Sequence, residues 1–349
     1  APWVNVIANP QFGCVVSERG IGYAWSVNAG LRRLTPWSND AVLDPPSTSI
    51  YLRDELDGEV WSPMPAPAPA PAAYQVRHGP GYSIFTHASH GLDQRVEVFV
   101  APEDSVVIVE LHLADSWERP RRLTVTLCME WLLGSRRADA RTLVTEFVPE
   151  HEVVLVGNSW NPTFADRCAF VRASEPLHGI TTSREEFFGR GGDRRSPAGL
   201  RRIGLSGAIV PGADPCAALQ VHVDLPAGSA TTLHFVFGDG EDRAAALALA
   251  ERYRERAQVE AARRGRPGLG SPARLRPGRE PRSGLRSAGQ SLAALPGDRV
   301  ADVGPDRLQP VERRVRFSRP AARQDGLGPR RARAAARAPA RSREPAIRR

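Results

Sequence analysis

Arg95-Val96-Glu97-Val98-Phe99-Val100 alternates polar and apolar side chains, and Val106-Val107-Ile108-Val109-Glu110-Leu111-His112-Leu113 resumes after a turn at Pro102-Glu103-Asp104. Alternation with period two sends successive side chains to opposite faces, so the two runs read as half-buried strands joined by a short turn. The same pattern recurs at Leu123 to Leu127, Val153 to Val156, Cys168 to Arg172 and Leu219 to Val223. Between these runs lie Glu118-Arg119-Pro120, Gly157-Asn158, Pro211-Gly212 and Pro226-Ala227-Gly228, turn chemistry that suits antiparallel pairing better than helical crossovers. The fold class is therefore mainly β: a large antiparallel β-sandwich over residues 1–240. Tyr51-Leu52-Arg53-Asp54 and Gly58-Glu59-Val60-Trp61 add a hairpin turning at Asp57-Gly58, and the Pro63 to Ala73 stretch is expected as a polyproline loop inside the domain.

The pattern changes at Glu241. Residues 242–263 are rich in Ala, Leu, Glu and Arg, lack Gly and Pro, and place Leu247, Ala250, Tyr253 and Ala257 at helical spacing, which predicts one linker helix over 241–262 leaving the sandwich. Beyond it the composition is that of another chain. Of the 349 residues, those up to Ala262 carry 24 Arg against 32 acids, net −8, whereas residues 263–349 carry 23 Arg against 7 acids, net +16. Those last 87 residues hold 10 Gly, 11 Pro and a single aromatic, Phe317, too little apolar bulk to offset the entropy of ordering them. They read as a disordered Arg/Pro/Gly tail. The whole chain uses Arg and never Lys, as expected of a GC-rich gene, and such a gene read out of frame yields mostly Arg, Ala, Gly and Pro, so a frameshift near Arg263 is the expected origin of the tail.

Several classes of function are excluded. No apolar run approaches the roughly 18–20 residues that span a bilayer, and the N-terminus, Ala1 followed by Pro2 to Pro10, has no signal-peptide pattern, so the chain reads as an internal fragment. Cys14, Cys128, Cys168 and Cys216 are far apart and have no local His partner, which reads as buried thiols in a reducing compartment, with no metal and no cofactor expected. His87 and His90 fall where strand alternation would put them on opposite faces. Gly20-Ile21-Gly22-Tyr23 and Gly79-Pro80-Gly81-Tyr82 lack the following helix of a dinucleotide site, and no Gly-x-Ser-x-Gly elbow occurs. The acid neighbours Asp54 and Glu55, or Glu185 and Glu186, would point apart on a strand and cannot flank one glycosidic bond, so no catalytic residue is assigned. The basic tail has no interleaved aromatics or recognisable fold, and no specific nucleic-acid partner is expected.

The richest segment is Gly20 to Asp40. It gathers Tyr23, Trp25 and Trp37 with Asn28, Arg33 and Asp40, and with Asn39 beside them. Aromatic faces stack on the apolar C–H face of a pyranose, while amide, guanidinium and carboxylate groups bond its hydroxyls, so these six residues form a candidate carbohydrate-binding site. An aromatic core with turn-forming polar residues is the competing reading of the same composition.

Trp3-Val4-Asn5-Val6-Ile7-Ala8-Asn9-Pro10, then Gly22-Tyr23-x-Trp25-Ser26-x-Asn28 and Arg33-Leu34-Thr35-Pro36-Trp37-Ser38-Asn39-Asp40, resemble the cyclic β-1,2-glucan synthases. The likeness continues through Tyr51 to Asp54, Gly58 to Pro63, Arg77 to Ser83 and Met129-Glu130-Trp131-Leu132-Leu133-Gly134, covering roughly the first 260 residues. Cellobiose and chitobiose phosphorylases share a looser version. The resemblance implies a galactose-mutarotase-like supersandwich, followed in the family by linker helices and an (α/α)6 catalytic barrel that is missing here. Val315 to Arg323 matches what a barrel segment would give if its codons were read two bases late. The resemblance further implies a fragment of a glycosyltransferase or glycoside phosphorylase. Its partner would be a β-linked glucan or oligosaccharide, with a homodimer as a further expectation. A cytoplasmic location follows, with the intact parent held at the inner membrane through upstream segments. The stand-alone alternatives are a noncatalytic carbohydrate-binding or structural module, or a piece of a soluble disaccharide phosphorylase. Loss of the barrel is expected to leave the apolar face of the linker helix and one sandwich surface uncovered, and so to lower solubility.

Overall fold

The computed structural model describes residues 3–266, except 39, 41, 44, 213 and 214, together with the backbone of 299–303. Val315 to Arg323 and the rest of the expected tail lie outside the described residues. Two antiparallel sheets face each other. The first runs β1 (Val4–Ala8), β2 (Phe12–Ser17), β3 (Gly20–Ser26), β4 (Thr48–Asp54), β10 (Arg121–Glu130), β15 (Pro215–Leu225) and β14 (Leu177–Ser183), with β5 (Val60–Trp61) closing the hairpin onto β4. The second runs β11 (Leu143–Val148), β12 (Val153–Asn158), β13 (Cys168–Ala173), β16 (Ala230–Gly240), β9 (Val106–Asp115), β8 (Leu92–Val100), β7 (Tyr82–Ser89), β6 (Tyr74–Gly79) and β17 (Arg299–Val303).

The alternating runs become strands for the expected reason. Val96, Val98 and Val100 of β8, Val107, Val109, Leu111 and Leu113 of β9, and Leu123, Val125 and Leu127 of β10 all enter one core between the sheets. Removing that apolar area from water, at about 25 cal/mol per Å², is what holds the two sheets face to face. The Pro63 to Ala73 loop contributes inward as well, through Met64 and Ala70.

The C-terminal part departs from expectation in three ways. One helix was predicted over 241–262. There are two, α2 (Arg243–Arg252) and α3 (Arg256–Gly265). Asp242 caps the first, its Oδ1 accepting from the Ala245 amide at 2.7 Å, and the break falls at Tyr253, whose carbonyl meets His234 Nε2 at 2.9 Å and whose hydroxyl donates to Asp104 at 2.7 Å. Second, the helices do not leave the sandwich. Ala246, Ala250, Tyr253, Val259 and Ala262 pack on Phe99, Ile108, Val153, Phe170 and Val236 of the second sheet's outer face, so the apolar face expected to lie bare is covered. Third, the structured segment passes the expected boundary at 262 and runs through Arg266, while Arg299–Val303, inside the expected tail, pairs with β6 from Arg299 opposite His78 to Val303 opposite Tyr74.

The first sheet is covered only in part. Over β4, β10 and β15 a short helix, α1 (Arg184–Phe188), and the chain after it bury Phe187, Phe188 and Leu200 against Tyr51, Cys128, Cys216 and Ala218. Glu185 and Glu186 thus sit on a helix, not on the strand that the sequence suggested. At β1 the side chains of Val4 and Val6 are exposed, as are Trp3 before it and Trp37 after β3.

Candidate functional site

Tyr23 and Trp25 are two residues apart on β3 and share its outer face, their rings 5.4 Å centre to centre. The register places Trp25 opposite Gly13 of β2, and the absence of a side chain there is what lets the indole lie flat: a Cβ on Gly13 would stand 2.3 Å from Trp25 Cζ2. After β3 the chain turns back through Val27 and Asn28. Residues 32–34 then run beside β3, with the Leu34 amide donating to Ala24 at 2.8 Å, and Arg33 bridges between Trp25 and Gly134. That return carries Trp37 to Tyr23, where the rings stack at 5.3 Å and 24°. The Arg33 guanidinium lies 5.7 Å from the Tyr23 ring and 5.6 Å from the Trp37 ring.

Four of the six candidates therefore form one shelf: Trp25, Tyr23 and Trp37 in sequence, with Arg33 over the last two. Trp37 is 46% exposed and Tyr23 and Trp25 are half-buried, so the shelf is a surface feature and not the core packing that the composition alone allowed. The other two candidates are engaged in turns. Asn28 Oδ1 accepts from the Gly30 and Leu31 amides, both at 2.9 Å, and Asp40 Oδ1 accepts from Val42 and Leu43 at 2.9 and 3.0 Å. The backbone amides of Leu43 and Val42 hold the Asp40 carboxyl below its ordinary range.

Beside the shelf lies a cavity of about 170 Å³ whose lining includes Trp37, Pro46, Arg33, Arg136, Arg137 and Arg194. Sequence reasoning missed the last three. Arg137 and Arg194 converge on the buried carboxylate of Glu130, at the end of β10, Arg137 at 2.7 Å, and Arg184 stands 3.7 Å from it. Arg194 also donates to the Pro46 carbonyl at 2.9 Å, which fixes the guanidinium at the cavity wall. Arg194 lies 64 residues from Glu130, and no spacing rule links them. The only signal was Glu130 within the Met129 to Gly134 motif, followed at once by Arg136 and Arg137.

A carboxylate pair that the sequence did not reveal lies across β8 and β9, where Glu97 and Glu110 stand directly opposite. Both are buried and both are occupied: Arg95 meets Glu97 at 2.6 Å, Arg266 also bonds Glu97, and Arg263 bonds Glu110. Burial raises the Glu97 carboxyl, but Arg266, Arg95 and Arg263 together pull it below its usual value. With Glu97 held by Arg95 and Arg266 and Glu110 by Arg263, the pair is a structural clasp. His87 and His90 stack on different rings, Tyr74 at 3.7 Å and Trp61 at 3.9 Å between centroids.

Two facing antiparallel sheets of eight and nine strands, with an aromatic shelf and a basic cavity on the first, define a supersandwich module. Residues 1–256 match the supersandwich domain of glycosyl hydrolase 94, and the chain belongs to that family. It is 33% identical over 256 residues to the cyclic beta-(1,2)-glucan synthase NdvB of Rhizobium meliloti (strain 1021), covering 72% of this chain and 9% of that protein. It is 23% identical over 279 residues to the N,N'-diacetylchitobiose phosphorylase of Vibrio proteolyticus, covering 75% of this chain and 34% of that protein. The chain thus spans about a third or less of these relatives. Among solved structures, the GalM/aldose epimerase homologue from C. elegans aligns with 70% of this chain and 100% of its own, at 13% identity and a TM-score of 0.44. The resemblance and the fold expected from the sequence motifs both hold.

Proposed function

We propose that this chain is the carbohydrate-binding and positioning module of a glycosyl-transferring enzyme acting on β-linked glucan, and that the glucan lies on the shelf of Trp25, Tyr23 and Trp37. The observation that carries this reading is the stack of Tyr23 on Trp37 at 5.3 Å, with Trp37 46% exposed and Arg33 poised over both rings. Such a surface offers a π-face to the C–H side of a pyranose and a fixed planar donor to its hydroxyls. The kinship with a beta-(1,2)-glucan synthase over 256 residues favours β-1,2-linked glucose over other sugars. No step of chemistry is assigned to this module: the buried facing carboxylates Glu97 and Glu110 are paired with arginines.

The test is calorimetric titration of the full chain with β-1,2-gluco-oligosaccharides, and with cellobiose and N,N'-diacetylchitobiose for comparison, on the wild type and on Trp37→Ala. Saturable binding that favours the β-1,2-glucan and weakens in the variant supports the proposal. Absence of binding to all three, or binding indifferent to Trp37, overturns it.

A further inference from the structure

Four hollows on the described surface differ in charge. Three mix signs: Asp93 with Arg95; Glu185 with Arg184 and Arg190; Glu146 and Asp166 with Arg167 and Arg243. The fourth, beside Trp37, is lined by Arg33, Arg136, Arg137 and Arg194 and by no acidic residue among those described. This concentration runs against the charge of the module, which is net −8 up to Ala262. Glu130 sits behind the wall and orients Arg137 and Arg194 without neutralising Arg33 or Arg136. At about 170 Å³, the cavity is below the roughly 300 Å³ of a site for a whole drug-sized ligand, and admits one substituent. Arg33 and Trp37 belong to both shelf and cavity, so a sugar on the shelf would direct a substituent into the arginines.

We propose that the cavity is an oxyanion subsite that takes a phosphoryl-type group carried by the saccharide on the shelf. The assignment rests on the shelf reading for the sugar part, and on the lining charge alone for the anion. Planar guanidiniums bind tetrahedral oxyanions in paired hydrogen bonds.

The test titrates the full chain with glucose, glucose 6-phosphate and inorganic phosphate, alongside the neutral β-1,2-gluco-oligosaccharide. Glucose 6-phosphate is expected to bind at least about tenfold tighter than either glucose or inorganic phosphate, and less tightly as salt rises. Arg136→Gln, and independently Ser38→Glu, which adds a carboxylate to the lining, should abolish that advantage and leave the neutral oligosaccharide titration unchanged. Equal affinity for glucose and its phosphate, or an advantage that survives both variants, overturns the subsite. Inorganic phosphate binding as tightly as the sugar phosphate overturns the link to a saccharide. Failure of the neutral oligosaccharide alone, with an Arg136-dependent preference for glucose 6-phosphate intact, overturns the shelf reading and supports the subsite.

Discussion

Arg266 donates to the buried carboxylate of Glu97, 169 residues earlier in the chain, so the end of α3 is tied to the middle of β8. One turn before it, Arg263 bonds Glu110 of β9. Without these two guanidiniums, Glu97 and Glu110 would face each other across neighbouring strands as buried like charges, an arrangement that destabilises a sheet. The helices are therefore a required cover for the second sheet, and residues the sequence assigned to the tail complete it.

Arg263→Ala with Arg266→Ala should accordingly cost more than a surface substitution. Breaking a buried ion pair by removing one partner costs about 3–5 kcal/mol, and the residual Arg95 contact to Glu97 offsets part of that. Urea unfolding should show the double variant at least about 2 kcal/mol less stable. Adding Glu97→Gln and Glu110→Gln should restore much of the loss, and an unchanged midpoint in the Arg variant would show that the clasp bears no load.

Acid should weaken the fold in two stages. Burial lowers the imidazole pKa of His78, His87 and His234 below its ordinary 6.5. The unfolded chain then binds protons first as pH falls through 6.5, so stability is full above that value and declines below it. Burial raises the carboxyls of Glu97 and Glu251, but their arginine partners leave both below 4.5, so their contribution is present above 4.5 and lost as pH falls further. Urea midpoints should fall progressively from pH 7 through pH 6 to pH 5. His234→Gln should flatten that slope.

What the sequence disclosed depended on how local the cause was. Strands whose core-facing residues recur at every second position, such as β8 and β9, announce themselves by alternation, and the hairpin of β4 and β5 by Asp57-Gly58. The aromatic shelf was legible because Tyr23, Trp25, Arg33 and Trp37 lie within one stretch of chain. The basic cavity was not, since Arg194 reaches it by a long loop and its partner Glu130 is identified only by contact. The break between α2 and α3 was hidden for the same reason: it falls where His234, on a strand, meets the Tyr253 carbonyl, a contact that the local sequence does not announce.

The four cysteines, all buried, should be inert until the chain unfolds. Burial pushes the Cys14 thiol up to about 12 and the Cys168 thiol up to about 11, and raises Cys128 as well, so the reactive thiolate is scarce and sheltered at pH 8. An aromatic disulfide reagent should titrate all four thiols in guanidinium and react at least about a hundredfold more slowly with the native chain. Rapid reaction of any thiol in the native state would place that cysteine at the surface, contrary to this packing.

The shelf makes a sharper demand, because its geometry rests on a residue that touches no ligand. Gly13 is opposite Trp25, and the Cβ of Gly13→Ala would enter the space of the indole at 2.3 Å from Cζ2. The ring is large and half-buried, and must swing away from β2, which shifts it against Tyr23. Gly13→Ala should therefore weaken β-1,2-glucan binding by about fivefold or more, with a near-ultraviolet dichroism change that reports the altered ring stack. Trp37→Ala should weaken binding to a similar degree and change the unfolding free energy by less than about 0.5 kcal/mol, since Trp37 is 46% exposed. Loss of binding in Trp37→Ala but not in Gly13→Ala would confine the contact surface to Tyr23 and Trp37, and retention in both would place the glucan elsewhere on the module.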